Sequence, residues 1–228
     1  MIITNLKKFE KIIKTLAKFD KWNKKNFRRP FNGIIYFSEG KLYVTQGEVM
    51  GIIDVLNCVD FVEGEEFVFP SDMIAKKSIG KDIDGNLVVD GKRVDCEQID
   101  ARFYKRVIPK GYPTAELSLD FSEYGSLDVG YNKFVAFAEI SCDRVVLDYK
   151  DDVGTLCTIE DCFSDGLLDS NFGDFQSVTF FLWQIFQILK ISKKIVVKQY
   201  EKSDSVHKII AGDYEFLIMP CQWLKNKI

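Results

Sequence analysis

A chain of 228 residues, 46% hydrophobic and 29% charged, has room for one large core or two of about 110 residues each. No apolar run reaches the roughly 18 residues of a membrane span, and MIITNLKKFEKIIK is too charged for a secretory leader, so a cytoplasmic protein is expected. Six cysteines without a CxxC pair and a single histidine speak against a structural zinc site, and the thiols are expected as small buried groups in a reducing compartment.

In chain order, residues 5–25 form the clearest helix. Leu6, Phe9, Ile13 and Leu16 recur at helical spacing, Ile12 and Ala17 widen the stripe, Thr4 or Asn5 caps the start, and Pro30 lies beyond the end. GIIYFSEGKLYVTQ reads as two strands around a Ser-Glu-Gly-Lys turn, and VMGIIDVLNCV continues the run. EEFVFPSDMIAKKSIG reads as a strand, Pro70, a Ser71/Asp72 cap and a short helix stopping near Gly80. Asp90-Gly91 marks a hairpin in NLVVDGKRVDCEQID. ARFYKRVIPKGYP runs into a Pro/Gly-rich linker at 109–113.

The second half partly repeats this order. LSLDF is a strand, NKFVAFAEIS and DRVVLDYKD pair around Cys142-Asp143, and GTLCTIEDCF is another strand. SDGLLDSNFGDF is a polar loop. SVTFFLWQIFQILKIS reads as a buried helix over 178–190, capped by Ser177. KKIVVKQYEKS and HKIIAGDYEFLIMPC close the chain as strands. The recurrence suggests a duplication with a period near 110 residues, and the expected domains are 1–112 and 113–228.

Charge is unevenly spread. Ten Lys/Arg against two acids give residues 1–29 a balance of +8, which leaves −11 on residues 30–228 of a total of −3. Lys7, Lys11, Lys14, Lys18, Lys21 and Lys25 follow spacings of 4, 3, 4, 3 and 4, a narrow stripe opposite the apolar face. Like charges at i,i+4 repel. The stripe fits a solvated face, a phosphate-facing surface or a membrane-surface helix.

The order of these signals resembles the bacterial β sliding clamp, the processivity ring of the replicative polymerase, over that family's central and C-terminal domains. GKLYVTQGEVMGI looks like the family's strand–TDGHRLA–strand element, and FVFPSDMI like its strand-Pro-helix entry. IDARFYKRVIPKG is close to the end of its central domain. SVTFFLWQIFQILKISKKIVV has the pattern of its last helix and following strand, and YEFLIMPCQWL looks like its C-terminus. The sequence departs from the pattern at Thr45-Gln46-Gly47-Glu48-Val49. The family's N-terminal domain has no counterpart, and FSEYGSLDVGYN leaves little room for a first helix in the second half.

The resemblance implies an α+β protein of two tandem clamp-type domains, with curved antiparallel sheets and helices on one face. It implies a non-enzymatic, cofactor-free processivity or tethering factor in DNA replication or repair. Such a protein holds duplex DNA without base contacts through Lys7, Lys11, Lys14, Lys18, Lys21 and Lys25, with Lys76 and Lys77 of the second helix. Two domains per chain imply a homotrimer where a ring of six domains forms. A peptide pocket for polymerase or clamp-loader segments would fall at Met50, Pro109, Leu217, Met219, Pro220 and Cys221. Leu217 and Met219 equally suit the core of a terminal strand. The shortened architecture suggests a phage or mobile-element source. The alternative is a clamp-fold protein that binds a protein partner without encircling DNA.

Other constellations are weaker. Asp151-Asp152, Glu160-Asp161 and Asp82/Asp84 lack calcium-loop spacing and read as turn and surface chemistry. Cys157, Cys162 and His207 lack an orienting group. Trp22, Trp183 and Trp223 read as packing residues rather than base-stacking platforms. Phosphate-binding glycine loops are absent from the sequence.

Overall fold

The computed structural model describes residues 1–24, 34–45, 49–70, 78–94, 106–122, 137–141, 144–150, 156–162, 175–200 and 205–220. The chain divides into two compact units, Met1–Ile108 and Pro109–Ile228, at the start of the Pro/Gly-rich stretch.

The first unit contains β1 (Ile2–Ile3), α1 (Leu6–Lys24), β2 (Ile34–Ser38), β3 (Lys41–Thr45), β4 (Val49–Asp54), β5 (Val59–Asp60), β6 (Glu66–Pro70), β7 (Ile79–Lys81), β8 (Leu87–Val89) and β9 (Lys92–Arg93). Its main sheet runs β4–β3–β2–β6, all antiparallel. β7–β8–β9 form a second sheet, and β1 pairs with β5. The central strands are apolar on both faces: Ile35, Tyr36, Phe37, Leu42 and Val44 are buried. α1 covers β3 and β4 and also touches β7.

Turn chemistry sets the hairpins. Glu39 and Gly40 between β2 and β3, and Asp90 and Gly91 between β8 and β9, all have positive φ, the backbone that a tight two-residue hairpin requires. The expected helix stopping near Gly80 needs correction. Ile79–Lys81 is a strand in register with Val89, Val88 and Leu87, so any helix ends before it. Buried Ile79 stands opposite buried Val89, an apolar cross-strand pair that favours the sheet. Positions 71–77 lie outside the described residues.

The second unit contains β10 (Ala115–Asp120), β11 (Phe137–Ile140), β12 (Arg144–Lys150), β13 (Leu156–Cys162), β14 (Val178–Phe181), α2 (Leu182–Leu189), β15 (Lys194–Gln199), β16 (His207–Ala211) and β17 (Tyr214–Ile218). Two antiparallel sheets result, β10–β15–β16–β17 and β14–β11–β12–β13. Each sheet is a three-strand meander plus one leading strand from the other meander's segment. β14 leads into β15–β16–β17 through α2 but pairs with β11, while β10 precedes β11 in the chain but pairs with β15. In the first unit β6 pairs in the same way with β2, the first strand of a meander it does not precede.

The second expected helix is shorter than the sequence suggested. Val178, Thr179, Phe180 and Phe181 alternate buried and half-buried and pair with β11, so the helix starts at Leu182. β-branched and aromatic residues favour the pleated surface over a first helical turn. Ser177 does not cap; its hydroxyl donates to Glu139 Oε1 at 2.8 Å. Gln184 Oε1 accepts from the Phe181 N–H at 3.2 Å instead. Leu182, Gln184, Ile185, Ile188 and Leu189 are buried, as an apolar helix should be, and α2 packs on β11, β12 and β14.

Candidate nucleic-acid interface

α1 is positioned by its N-terminus. The backbone N–H groups of Thr4 and Asn5 donate to the Cys58 carbonyl at 3.0 and 3.2 Å. Asn5 Oδ1 accepts from the Lys8 N–H at 3.1 Å, which satisfies one of the free donors of the first turn. Of the two caps the sequence offered, Asn5 takes the role. Phe9, Ile12, Ile13, Leu16 and Ala17 are buried against the sheet, so one face of the helix is committed to the core.

The opposite face carries the lysines. Lys7 and Lys11 are exposed. Lys14 is only half exposed, and its Nζ lies 2.5 Å from Glu10 Oε1, one turn back. That carboxylate neutralises one of the eight lysines expected at phosphates, so Lys14 is not a free cation. The side chains of Lys18 and Lys21 on α1, and all of Lys25, Lys76 and Lys77, lie outside the described residues.

The arrangement works against helix stability. The first turn carries Lys7 and Lys8 and no acidic residue, the wrong sign for the positive end of the helix dipole. Lys7 and Lys11 repel at i,i+4. Each effect costs a few tenths of a kcal/mol.

Two further contacts shape this helix and its surroundings. Glu10–Lys14 has the favourable acid-before-base order at i,i+4, a signal present in the sequence. Lys81 Nζ donates to the Ile3 carbonyl at 2.9 Å, a long-range contact that no spacing reveals.

The expected peptide-pocket positions fall into two groups. Met50 on β4 and Leu217 on β17 are buried side chains of their own sheets. Met219, just past β17, is 42% exposed, Pro109 and Pro220 are half-buried, and Cys221 lies outside the described residues.

Asp82 closes the 82–86 turn. Its carboxylate accepts first from the Asn86 side-chain amide, then from the Asn86 N–H and the Asp84 N–H, which hold its pKa below the usual carboxylate value. Cys58 is buried; burial raises its thiol pKa, against a smaller opposing effect of Lys8. Among the described residues no group of three or more His, Cys, Asp or Glu is placed to hold a metal ion, and no helix is long and apolar enough to cross a membrane.

No family model matches the sequence, and no curated protein matches it. Solved structures do. The β clamp of Helicobacter pylori, bound to a DNA ligase peptide, is 12% identical, with a TM-score of 0.65 over 96% of this chain and 65% of that one. The DNA polymerase III β subunit of Thermotoga maritima is 16% identical, with a TM-score of 0.62 over 97% of this chain and 66% of that one. The Caulobacter crescentus β sliding clamp is 12% identical, with a TM-score of 0.63 over 97% and 65%. The chain thus spans just under two thirds of the length of these clamps. Over nearly all of its own length, it has the fold of bacterial β sliding clamps.

Proposed function

We propose that this chain is a non-enzymatic, clamp-like tethering protein of DNA replication or repair that meets duplex DNA through the lysine face of α1. The observation that carries the reading is the exposure of Lys7 and Lys11 opposite a fully buried apolar face, on a helix whose first turn they destabilise. Cations held out in this way neutralise phosphates without reading bases, and they suit a contact that must slide. The −11 balance of residues 30–228 discourages DNA from the rest of the surface. The test is the double variant Lys7→Glu/Lys11→Glu. The slope of log K against log salt for a random duplex should fall by about two. Unchanged DNA retention overturns the assignment.

A second reading, a clamp-fold protein that binds a protein partner and encircles nothing, is favoured by α2. Leu182–Leu189 contains no basic residue, so the second unit's described helix offers no cation to DNA. Mass in solution separates the two. A trimer near 79 kDa, three times 26.3 kDa, supports a ring, and a monomer without DNA affinity supports the partner protein. In either case hydrophobic peptides of polymerases or loaders are the proposed ligands of the surface at Met219 and Pro220.

A further inference from the structure

The chain's single histidine is fully buried on β16, at the centre of a closed hydrogen-bond circuit inside the second unit. His207 Nδ1 lies 2.8 Å from the Ser205 carbonyl, which can only accept, so Nδ1 carries the proton. Nε2 is then left with a lone pair, and it faces Gln199 Nε2 at 3.2 Å. Gln199, buried at the end of β15, uses its other amide hydrogen and its oxygen on one residue. Its Nε2 donates to the Gln176 carbonyl at 3.1 Å, and its Oε1 accepts from the Gln176 N–H at 2.9 Å. The side chain thereby imitates a strand and fastens the backbone just before β14.

Every polar atom of this circuit has one possible role while His207 is neutral. Phe175 and Phe180 meet the imidazole edge-on, with ring centroids 6.5 and 5.5 Å away. Among the described residues, the groups around the ring are Phe175, Phe180, Gln199 and the Ser205 carbonyl, and none of these is charged. Burial lowers the pKa of His207 from 6.5, against a smaller opposing effect of the Ser205 carbonyl.

We propose that His207, Gln199 and Gln176 form an acid-released clip: a proton arriving on His207 Nε2 turns the Gln199 amide over and frees the segment that leads into β14. The step balances by hydrogen-bond roles alone. Protonated Nε2 is a donor and faces the Gln199 N–H, also a donor, so that contact becomes repulsive. Rotation of the amide by half a turn brings Oε1 to Nε2–H and restores the bond. The same rotation points the amide NH₂ at the Gln176 N–H, and both bonds to Gln176 are lost. Gln176 and Ser177 are exposed, so water takes over the freed N–H and carbonyl of Gln176, and the segment 175–177 is no longer tied to Gln199. β14 keeps its pairing with β11 but loses its fastening to β15. Protonation is thereby coupled to a local opening that leaves both sheets intact.

The experiment is a titration of the full chain, isotopically labelled, from pH 8 to pH 5. It follows the imidazole signal of His207 and the hydrogen exchange of individual amides. The Gln176 N–H is expected to lose at least tenfold of its protection with the same midpoint as the imidazole, while the amides of Val197 and Ile209 stay protected. His207→Gln, which keeps an acceptor for Gln199 but cannot titrate, is expected to make Gln176 protection independent of pH. The proposal is overturned if Gln176 stays protected through the histidine titration, or if the ring remains neutral until the whole unit unfolds. The wild-type titration decides the matter even where the variant does not fold.

Discussion

Lys14 Nζ rests 2.5 Å from Glu10 Oε1, one helical turn behind it on α1. The pair removes one cation from a face otherwise given over to positive charge, and it is the only acid–base contact described on that face among the residues with placed side chains. Glu10→Gln should release Lys14. Salt-dependent binding to a random duplex is expected to tighten and its slope to steepen by about one. A slope that does not change removes Lys14 from the interface.

Asp120 and Lys194 face each other across β10 and β15, with Nζ to Oδ2 at 2.9 Å. The Asp120 carboxyl is held down to about 2, first by the Ser122 hydroxyl, then by Lys194 and the Ser122 N–H. Its folded pKa is depressed, so its contribution is present above 3.8 and is lost as pH falls from 3.8 towards 2. Ser122→Ala should raise the carboxyl titration midpoint, read by NMR. A midpoint equal to that of the parent protein would refute the assigned cause.

Gly40 takes φ +71° in the β2–β3 turn, and a Cβ there would collide with Leu56 Cδ2 and lie 2.9 Å from Phe61 Cε1. Gly40→Ala should therefore cost about 1–3 kcal/mol, from strain and crowding together. Gly212→Ala, also at positive φ but with open space around it, should cost less. Urea unfolding midpoints of the two variants check the order.

Leu217 and Met219 are two residues apart and differ in kind. Leu217 is 3% exposed and Met219 42%. Leu217→Ala is expected to cost roughly 2–5 kcal/mol of stability. Met219→Ala should stay within about 0.5 kcal/mol, yet weaken capture of a hydrophobic peptide if this surface binds one. Equal losses of stability would place Met219 in the core instead.

Much of the fold was written in local signals. Glu39-Gly40 and Asp90-Gly91 announce their hairpins because few residue pairs tolerate two successive positive φ angles. The apolar face of α1 follows from spacing alone. β14 was hidden because Val178–Phe181 runs without a break into the helix Leu182–Leu189, and both are apolar, so periodicity cannot find the junction. β7 was lost to a helix reading because three residues are too few to show alternation. The clip was legible in part. Gln199 stands in phase with buried Ile195 and Val197, and His207 with buried Ile209 and Ala211, so both polar side chains had to point inward. That they meet each other, and Gln176, depends on register between strands, which no single segment encodes. The lysine stripe was plain in the sequence, and so was the i,i+4 order of Glu10 and Lys14; side-chain placement showed that the two meet.

The traded leading strands of the second unit have a consequence for biosynthesis. β10 cannot find its neighbour until β15 leaves the ribosome, and the Thr114–Gln199 bond closes a separation of 85 residues. β10 must therefore wait unpaired while β11–β13 form their meander, so completion of this half should be slow. Two fragments cut between β13 and β14 would each hold the strand the other lacks, and they should regain structure only when mixed.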